Sequence, residues 1–302
     1  MRIIAVANQK GGCGKTTTSV NLAACLAKLN KNVLLVDMDP QGHASLGLNI
    51  NSGELDRTMY NVLTPNAEKK ARLDEVIVHV NDNLDLAPAN ILLSAIEQEL
   101  SGKPEREAKL FQAISLMVTD KTYDFVIIDC SPSLGLLTFN ALRASSELIS
   151  PVETGFYSLH GISRLLETVN LIEKQLKNKI EVKALITMFD RRTRFAQEVR
   201  DEIYKYFSGR VFDSVIHNNV KLKEASSFGM PAVGYDKNCR GAKDYMSLAE
   251  EVAKSSLVKK ESIPEIPSSP AIKVFQDKER TLMLTYYSPE AQSVDIAGDF
   301  ND

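Results

Sequence analysis

Lys10-Gly11-Gly12-Cys13-Gly14-Lys15-Thr16-Thr17 lies between a short apolar run, Ile3-Ile4-Ala5-Val6-Ala7, and a helical apolar pattern made by Val20, Leu22, Ala23, Ala24, Leu26, Ala27 and Leu29. Strand, glycine-rich turn and helix in that order form a phosphate-binding loop, or P-loop. The glycines let backbone N–H groups converge on phosphate oxygens, and the helix N-terminus adds partial positive charge. In this motif Lys15 neutralises charge on the distal phosphates and the Thr16 hydroxyl is placed for Mg²⁺. A glycine-rich turn alone is a weak signal. A strand before it and a helix after it make nucleotide binding the expected function.

Working outward, the same alternation continues. Val33-Leu34-Leu35-Val36-Asp37, Leu84-Asp85-Leu86-Ala87-Pro88, Phe125-Val126-Ile127-Ile128-Asp129, Leu148-Ile149-Ser150-Pro151-Val152 and Val182–Met188 read as strands with helical runs between them. Continuous apolar strands alternating with helices predict an α/β fold, a doubly wound and mainly parallel sheet covered on both faces. No internal repeat is visible, and the pattern ends near Lys260. We therefore expect a nucleotide-binding domain over 1–260. A Pro/Ser-rich linker at 261–271, around Pro264, Pro267 and Pro270, and a short β fragment at 272–302 would follow.

Composition limits the alternatives. Of 302 residues, 44% are hydrophobic and 25% charged, which excludes disorder throughout. No run of about 18 apolar residues is available to span a bilayer, and Met1 leads directly into the first strand without a secretory leader. The four cysteines, 13, 25, 130 and 239, have neither CxxC pairing nor short even spacing, so a disulfide framework, zinc ribbon or iron–sulfur site is not expected. A reducing cytoplasm fits them. The net charge of −3 divides unevenly. Residues 1–150 carry 14 Lys+Arg against 17 Asp+Glu, residues 151–260 carry 19 against 14, and residues 261–302 carry 3 against 8. A basic middle followed by an acidic tail permits a polyanionic partner.

The residues also carry a family resemblance. Lys10–Thr17 resembles the deviant Walker A box, KGGxGKTT, of ParA/MinD-type ATPases, and Asp37-Met38-Asp39-Pro40-Gln41-Gly42 is similar to the DxDPQG box of ParA/Soj proteins. Asp129-Cys130-Ser131-Pro132-Ser133-Leu134-Gly135 resembles their D-x-P-P-x-L-G segment, with Ser131 for the first proline. Leu86–Asn90, Thr187–Thr193 and Asn219–Ala225 also look like Soj segments, so the likeness extends over most of residues 1–255. It implies ATP and Mg²⁺ as ligands, with Lys10, Gly11, Gly12, Cys13, Gly14, Lys15, Thr16 and Thr17 around the phosphates. Lys10 would reach across a nucleotide-sandwich homodimer to the partner's phosphates. Lys10, Lys15 and Asp39 would serve catalysis, Asp39 by supporting the attacking water. Mg²⁺ would be held by Thr16 and, through water, by Asp129 and Asp39. Where relatives read Ile-Pro-Arg-Asn, this chain has Ile216-His217-Asn218-Asn219. His217 and Asn219 thus fall in the adenine pocket, while Asn218 replaces an arginine that contacts DNA in Soj-like proteins.

Residues 190–243 hold 11 basic and seven acidic side chains. Such a surface gives salt-dependent, sequence-independent DNA binding, with Arg192, Arg240, Lys221 and Lys223 as candidate contacts. No helix-turn-helix precedes the P-loop. The expected partners are therefore a second copy, nonspecific DNA, and a ParB-like or cargo adaptor protein that stimulates hydrolysis. The expected location is cytoplasmic and nucleoid-associated. Two alternatives are a MinD-like membrane ATPase and a nucleotide-dependent adaptor for a polysaccharide-related assembly. The first needs a basic amphipathic C-terminal helix, where this chain has prolines and an acidic tail. The second draws on Leu284–Asp302, which resembles the opening strands of glycogen-binding early-set modules, although the chain contains no Trp. Cys13 sits at a helix start, which by itself lowers a thiol's pKa; a small residue tolerated in the loop is the preferred reading, with a redox switch as the alternative.

Overall fold

The apolar runs pair into one seven-stranded sheet. In the computed structural model, which describes residues 1–118, 121–155, 179–207 and 209–255, a few positions between 167 and 174, and the strand segments at 274–276 and 282–284, the strands are β1 (Arg2–Val6), β2 (Val33–Met38), β3 (Val78–Asn81), β4 (Leu84–Ala87), β5 (Phe125–Cys130), β6 (Glu147–Glu153) and β7 (Glu181–Thr187). Their order is β3-β4-β2-β5-β1-β6-β7. All neighbours are parallel except β3, which runs antiparallel to β4 at the edge with an irregular register between His79 and Asn81. That four-residue strand alternates half-buried valines with exposed His79 and Asn81. It is absent from the strands expected from the sequence.

Among the described helices are α1 (Lys15–Lys28), α2 (His43–Leu46), α3 (Met59–Leu63), α4 (Ile96–Glu99), α5 (Lys109–Ser115), α6 (Leu136–Ala144), α7 (Arg194–Phe207), α8 (Val220–Ser227), α9 (Ala232–Tyr235) and α10 (Arg240–Lys254). Ile4, Val6, Val33, Leu35, Phe125 and Ile127 pack on one face of the sheet with α1 and α10. The alternate residues Ala5, Leu34, Val36, Val126 and Ile128 are equally buried. Both faces are therefore covered, and the strands read as unbroken apolar runs for that reason.

Polar clasps fix the register of these layers. Arg2 grips Glu147 with two parallel bonds, Nε to Oε1 at 2.8 Å and Nη2 to Oε2 at 2.7 Å, joining β1 to β6. Its Nη1 also donates to the Ser255 carbonyl at 2.8 Å, just past α10. At β4, buried Asp85 accepts from His79, Lys121 and Tyr123. Burial pushes its carboxyl up, but these three donors together hold it below the usual range. Tyr245 of α10 is fully buried, and its hydroxyl meets Thr18 Oγ1 of α1 at 3.1 Å.

Internal contacts divide the chain into Met1–Val258 and Lys259–Asp302. In the second unit β8 (Val274–Gln276) pairs antiparallel with β9 (Leu282–Leu284). The linker expected at 261–271 and most of the β fragment expected at 272–302, including Val294–Asp302, lie outside the described residues.

Replacing Tyr245 with Phe removes the hydroxyl and strands Thr18 in the core. The expected cost is about 1 kcal/mol, read as a lower urea midpoint with an unchanged slope.

Candidate nucleotide site

Gly12 and Gly14 adopt φ of 73° and 90°, in the left-handed region that side chains disfavour, and so turn the chain from β1 into α1. The loop is laced to its surroundings. The Lys10 N–H donates to Asn8 Oδ1 at 3.0 Å, and Asn8 Nδ2 donates to the Pro151 carbonyl on β6 at 2.7 Å. Thr187 Oγ1, at the end of β7, donates to the Cys13 carbonyl at 2.9 Å. Lys15 is buried, its Nζ donating to the Lys10 carbonyl at 3.0 Å. Thr16 and Thr17 open α1, half-buried.

The carboxylates gather where β2 and β5 end. Asp37 and Asp129 are register partners on adjacent strands, and both are fully buried. Asp37 accepts from the Asp39 N–H at 3.1 Å, and from the Ser45 N–H and hydroxyl at 3.0 and 2.8 Å. Asp39 is nearly buried and accepts from the Gln41 N–H at 3.0 Å. Asp129 Oδ1 accepts from Ser19 at 2.8 Å, whereas its buried Oδ2 has no hydrogen-bond partner. Burial raises both the Asp37 and Asp129 carboxyls, and for Asp129 the neighbouring Asp37 charge adds to the rise while the Ser19 and Thr16 hydroxyls oppose it.

An unpartnered carboxylate oxygen beside a phosphate loop fits a cation's second shell. Among the described residues no three His, Cys, Asp or Glu side chains form a metal cage. Mg²⁺ needs none, since it keeps several waters and binds through phosphates with one or two protein oxygens. Thr16, Asp129 and Asp39 suit that role.

Lys10 leaves the loop on the β6 side, its Nζ paired with Glu153 Oε2 at 2.7 Å. Glu153 is a residue that the sequence reading missed. It is the last residue of a buried strand, the position that drew attention to Asp37 and Asp129. Cys13 is the small loop residue that the sequence favours over a redox switch. It is buried with Sγ 3.2 Å from the Lys10 carbonyl, and burial pushes its thiol up against the pull of Lys15 and Lys10. Desolvation outweighs the helix start, so the thiol is not activated.

The segment after β7 forms the far wall. Met188 holds φ of 52°, in the left-handed region, next to Gly14, where an added Cβ would sit 3.8 Å from Met188 Cε. Phe189 packs edge-on against His217. His217 Nδ1 lies 3.0 Å from Asp244 Oδ2, and its Nε2 lies 2.8 Å from Arg240 Nη2. A guanidinium can only donate, so Nε2 accepts and the ring proton sits on Nδ1. Asn219 Oδ1 caps α8 by accepting from the Lys221 N–H at 2.8 Å. His217 and Asn219 each already have protein partners.

The four DNA candidates do not form one free cationic face. Arg192 is exposed and clamps Asp190 through Nε and Nη2. Lys221 pairs with Glu224 at 2.7 Å, and half-exposed Arg240 lies against His217 and Asp244. Lys223 is exposed.

A mostly parallel sheet whose first strand runs into this loop, with acidic strand ends beside it, defines a P-loop nucleoside triphosphatase. A family model described as an AAA domain (AAA_31) matches residues 1–182. The chain belongs to the ParA/Soj family of partition ATPases, being 46% identical over 253 residues to sporulation initiation inhibitor protein Soj of Bacillus subtilis, which spans 83% of this chain and 98% of Soj. Chromosome partitioning protein ParA of Caulobacter vibrioides is 38% identical over 253 residues, 83% of this chain and 94% of ParA. The crystal structure of cobyrinic acid a,c-diamide synthase from Mycobacterium smegmatis with bound ATP analog and magnesium superposes with a TM-score of 0.71 at 30% identity, covering 84% of this chain and 94% of that one.

Two outcomes follow from the geometry. Gly42 holds φ of 64°, and a Cβ there would lie 2.8 Å from the Ala89 carbonyl oxygen. Gly42→Ala should destabilise the fold by about 1–3 kcal/mol in chemical denaturation and displace the Asp39 turn. The second concerns pH. A carboxyl whose folded pKa lies above its unfolded value near 4 stabilises the fold below that value, and the contribution is lost as pH rises through the raised one. Asp129→Asn should therefore raise the melting temperature of the nucleotide-free protein at pH 8 by roughly 2–4 °C. The gain should shrink toward pH 5.

Proposed function

We propose that the chain is an ATP-hydrolysing switch that segregates or positions DNA or another cargo. ATP with Mg²⁺ closes two copies into a nucleotide sandwich, the dimer binds DNA without sequence preference, and a ParB-like or cargo adaptor protein triggers hydrolysis and release. The observation that supports this reading is the glycine-rich loop with Lys15 turned onto the Lys10 carbonyl and with Ser19 of the following helix bonded to Asp129, whose other oxygen has no hydrogen-bond partner. The relatives named Soj and ParA support partition as the biological setting.

In this reading Lys15 and the loop N–H groups bind the phosphates, and Lys10 brings a further cation to the developing phosphate charge. Bound Mg²⁺ would neutralise charge between the outer phosphates. Asp39, fixed by the Gln41 N–H, orients the attacking water. Asn219 keeps its side-chain N–H₂ available to a base, since only its oxygen serves the α8 cap. The location that goes with this function is the nucleoid. No described helix is long and apolar enough to cross a membrane. The segment 272–302 we take as a partial β-module joined through the 261–271 linker.

Retention on DNA should appear with ATP, be absent with ADP, and weaken as salt rises. Lys223→Ala should flatten the slope of log affinity against log salt by about 1. Lys10→Ala should abolish partner-stimulated phosphate release while leaving ATP binding measurable. A protein that releases phosphate equally well without Lys10 would overturn the sandwich reading.

A further inference from the structure

We infer that Glu153 is a positioning residue for Lys10: its carboxylate holds the ammonium within one chain, and Lys10 engages phosphate only when that pair opens. The inference rests on the reading above that Lys10 acts on nucleotide phosphate.

The loop is so braced that the side chain of Lys10 is the part able to change partner. Its N–H is held by Asn8, which is itself bonded to the Pro151 carbonyl, and its carbonyl accepts from both Lys15 Nζ and Cys13 Sγ. The support under Glu153 is equally firm. It ends β6 and pairs in register with Thr187, whose hydroxyl holds the Cys13 carbonyl. Two fixed backbones thus present one ammonium and one carboxylate to each other, and a rotamer change is enough to part them.

A clasp between the first strand and β6 already exists at the opposite end of the sheet. Arg2 and Glu147 form a two-bonded pair whose side chains are 15% and 12% exposed, reinforced by bonds to the end of α10. Lys10 and Glu153 form a single contact with side chains 29% and 35% exposed. A pair that open to water is weak, so it adds little to what Arg2 does for the fold. Its consequence is electrostatic. It neutralises the Lys10 ammonium, whereas Lys15 turns inward to a backbone carbonyl. The oxygens of a polyphosphate offer that ammonium the same geometry as a carboxylate, with more charge, and so compete for it directly.

Glu153 therefore sets a threshold. Without nucleotide, Lys10 is occupied. With nucleotide presented, the lysine exchanges carboxylate for phosphate, and the freed Glu153 carboxylate returns to water.

The test uses the full chain and four proteins: wild type, Glu153→Gln, Lys10→Ala and the double variant. In the nucleotide-free state, the rate of reductive methylation of Lys10, read by mass spectrometry against Lys15, should rise several-fold in Glu153→Gln. The same substitution should lower the ATP concentration that gives half-maximal binding by roughly two- to fivefold, the range set by an exposed ion pair. In the Lys10→Ala background it should change nothing, because its effect passes through Lys10. Equal tightening in both backgrounds would mean a through-space charge effect and overturn the inference, as would an unchanged Lys10 labelling rate. A wild type that stays monomeric with ATP would defeat the sandwich reading, and the labelling rate would still decide the Glu153 contact.

Discussion

Asp129 is fully buried one strand from Asp37, with one oxygen bonded to Ser19 and the other to nothing. A bare charge in that place is costly, and the fold relieves it only in part, through the Ser19 hydroxyl. The sheet order makes the arrangement unavoidable. Because β5 lies between β2 and β1, the P-loop that follows β1, the carboxylate at the end of β5 and those at the end of β2 must meet at one edge. Ligands of such sheets bind outside the carboxyl ends of the strands, where the order reverses. The acidic edge and a phosphate bound on the loop repel each other by charge alone. A divalent cation arriving with phosphate reconciles them, which explains why the loop and the strand ends occur together.

The elements that position this edge were legible because buried parallel strands and a glycine-rich turn leave dense local signals. Val33–Asp37 and Phe125–Asp129 are each a continuous apolar run ending in aspartate, and both became strands ending at the site. Strand β3 was passed over: in Val78-His79-Val80-Asn81 valine alternates with polar residues, but the run is only four residues long and half-exposed at the sheet edge beside β4. The same distinction applies within the site. Lys10, Lys15, Asp39 and Asp129 lie in contiguous motifs. Glu153, Thr187 and Asp244 reach the site from β6, β7 and α10 through pairings 143, 174 and 27 residues apart in sequence. No local pattern carries such separations. At Cys13 the local rule about helix starts is outweighed by burial that only the tertiary structure reveals, and the residue is the buried small side chain that the sequence favours.

The charge division of the sequence also acquires a different meaning. The basic excess after residue 151 suggested an open cationic surface, yet much of it is locally neutralised. Arg192 lies on Asp190, Arg194 on Glu198, Arg200 on Asp201, Lys205 on Glu202 and Lys221 on Glu224. These pairs span one to four residues and are exposed, so each contributes little to stability. They do not hold the fold together. They leave the cations on the surface with exchangeable counter-ions.

In the proposed reading, exchange of counter-ions would link the surface to the site. At both, a lysine or arginine rests on a carboxylate of its own chain through a weak, solvent-exposed contact, and at both the proposed ligand is a polyanion. Weak pairs suit this purpose better than free cations. A bare cationic face would attract any phosphate at all times, whereas a paired one binds only when several phosphates displace several carboxylates together. The deep pairs differ. Arg2 with Glu147, and Asp85 with Lys121 and Tyr123, are largely buried and have several donors each. Breaking them would leave buried charge behind. The fold therefore separates two uses of the same chemistry by depth: shielded pairs fix the strands, and exposed pairs hold cations ready for exchange.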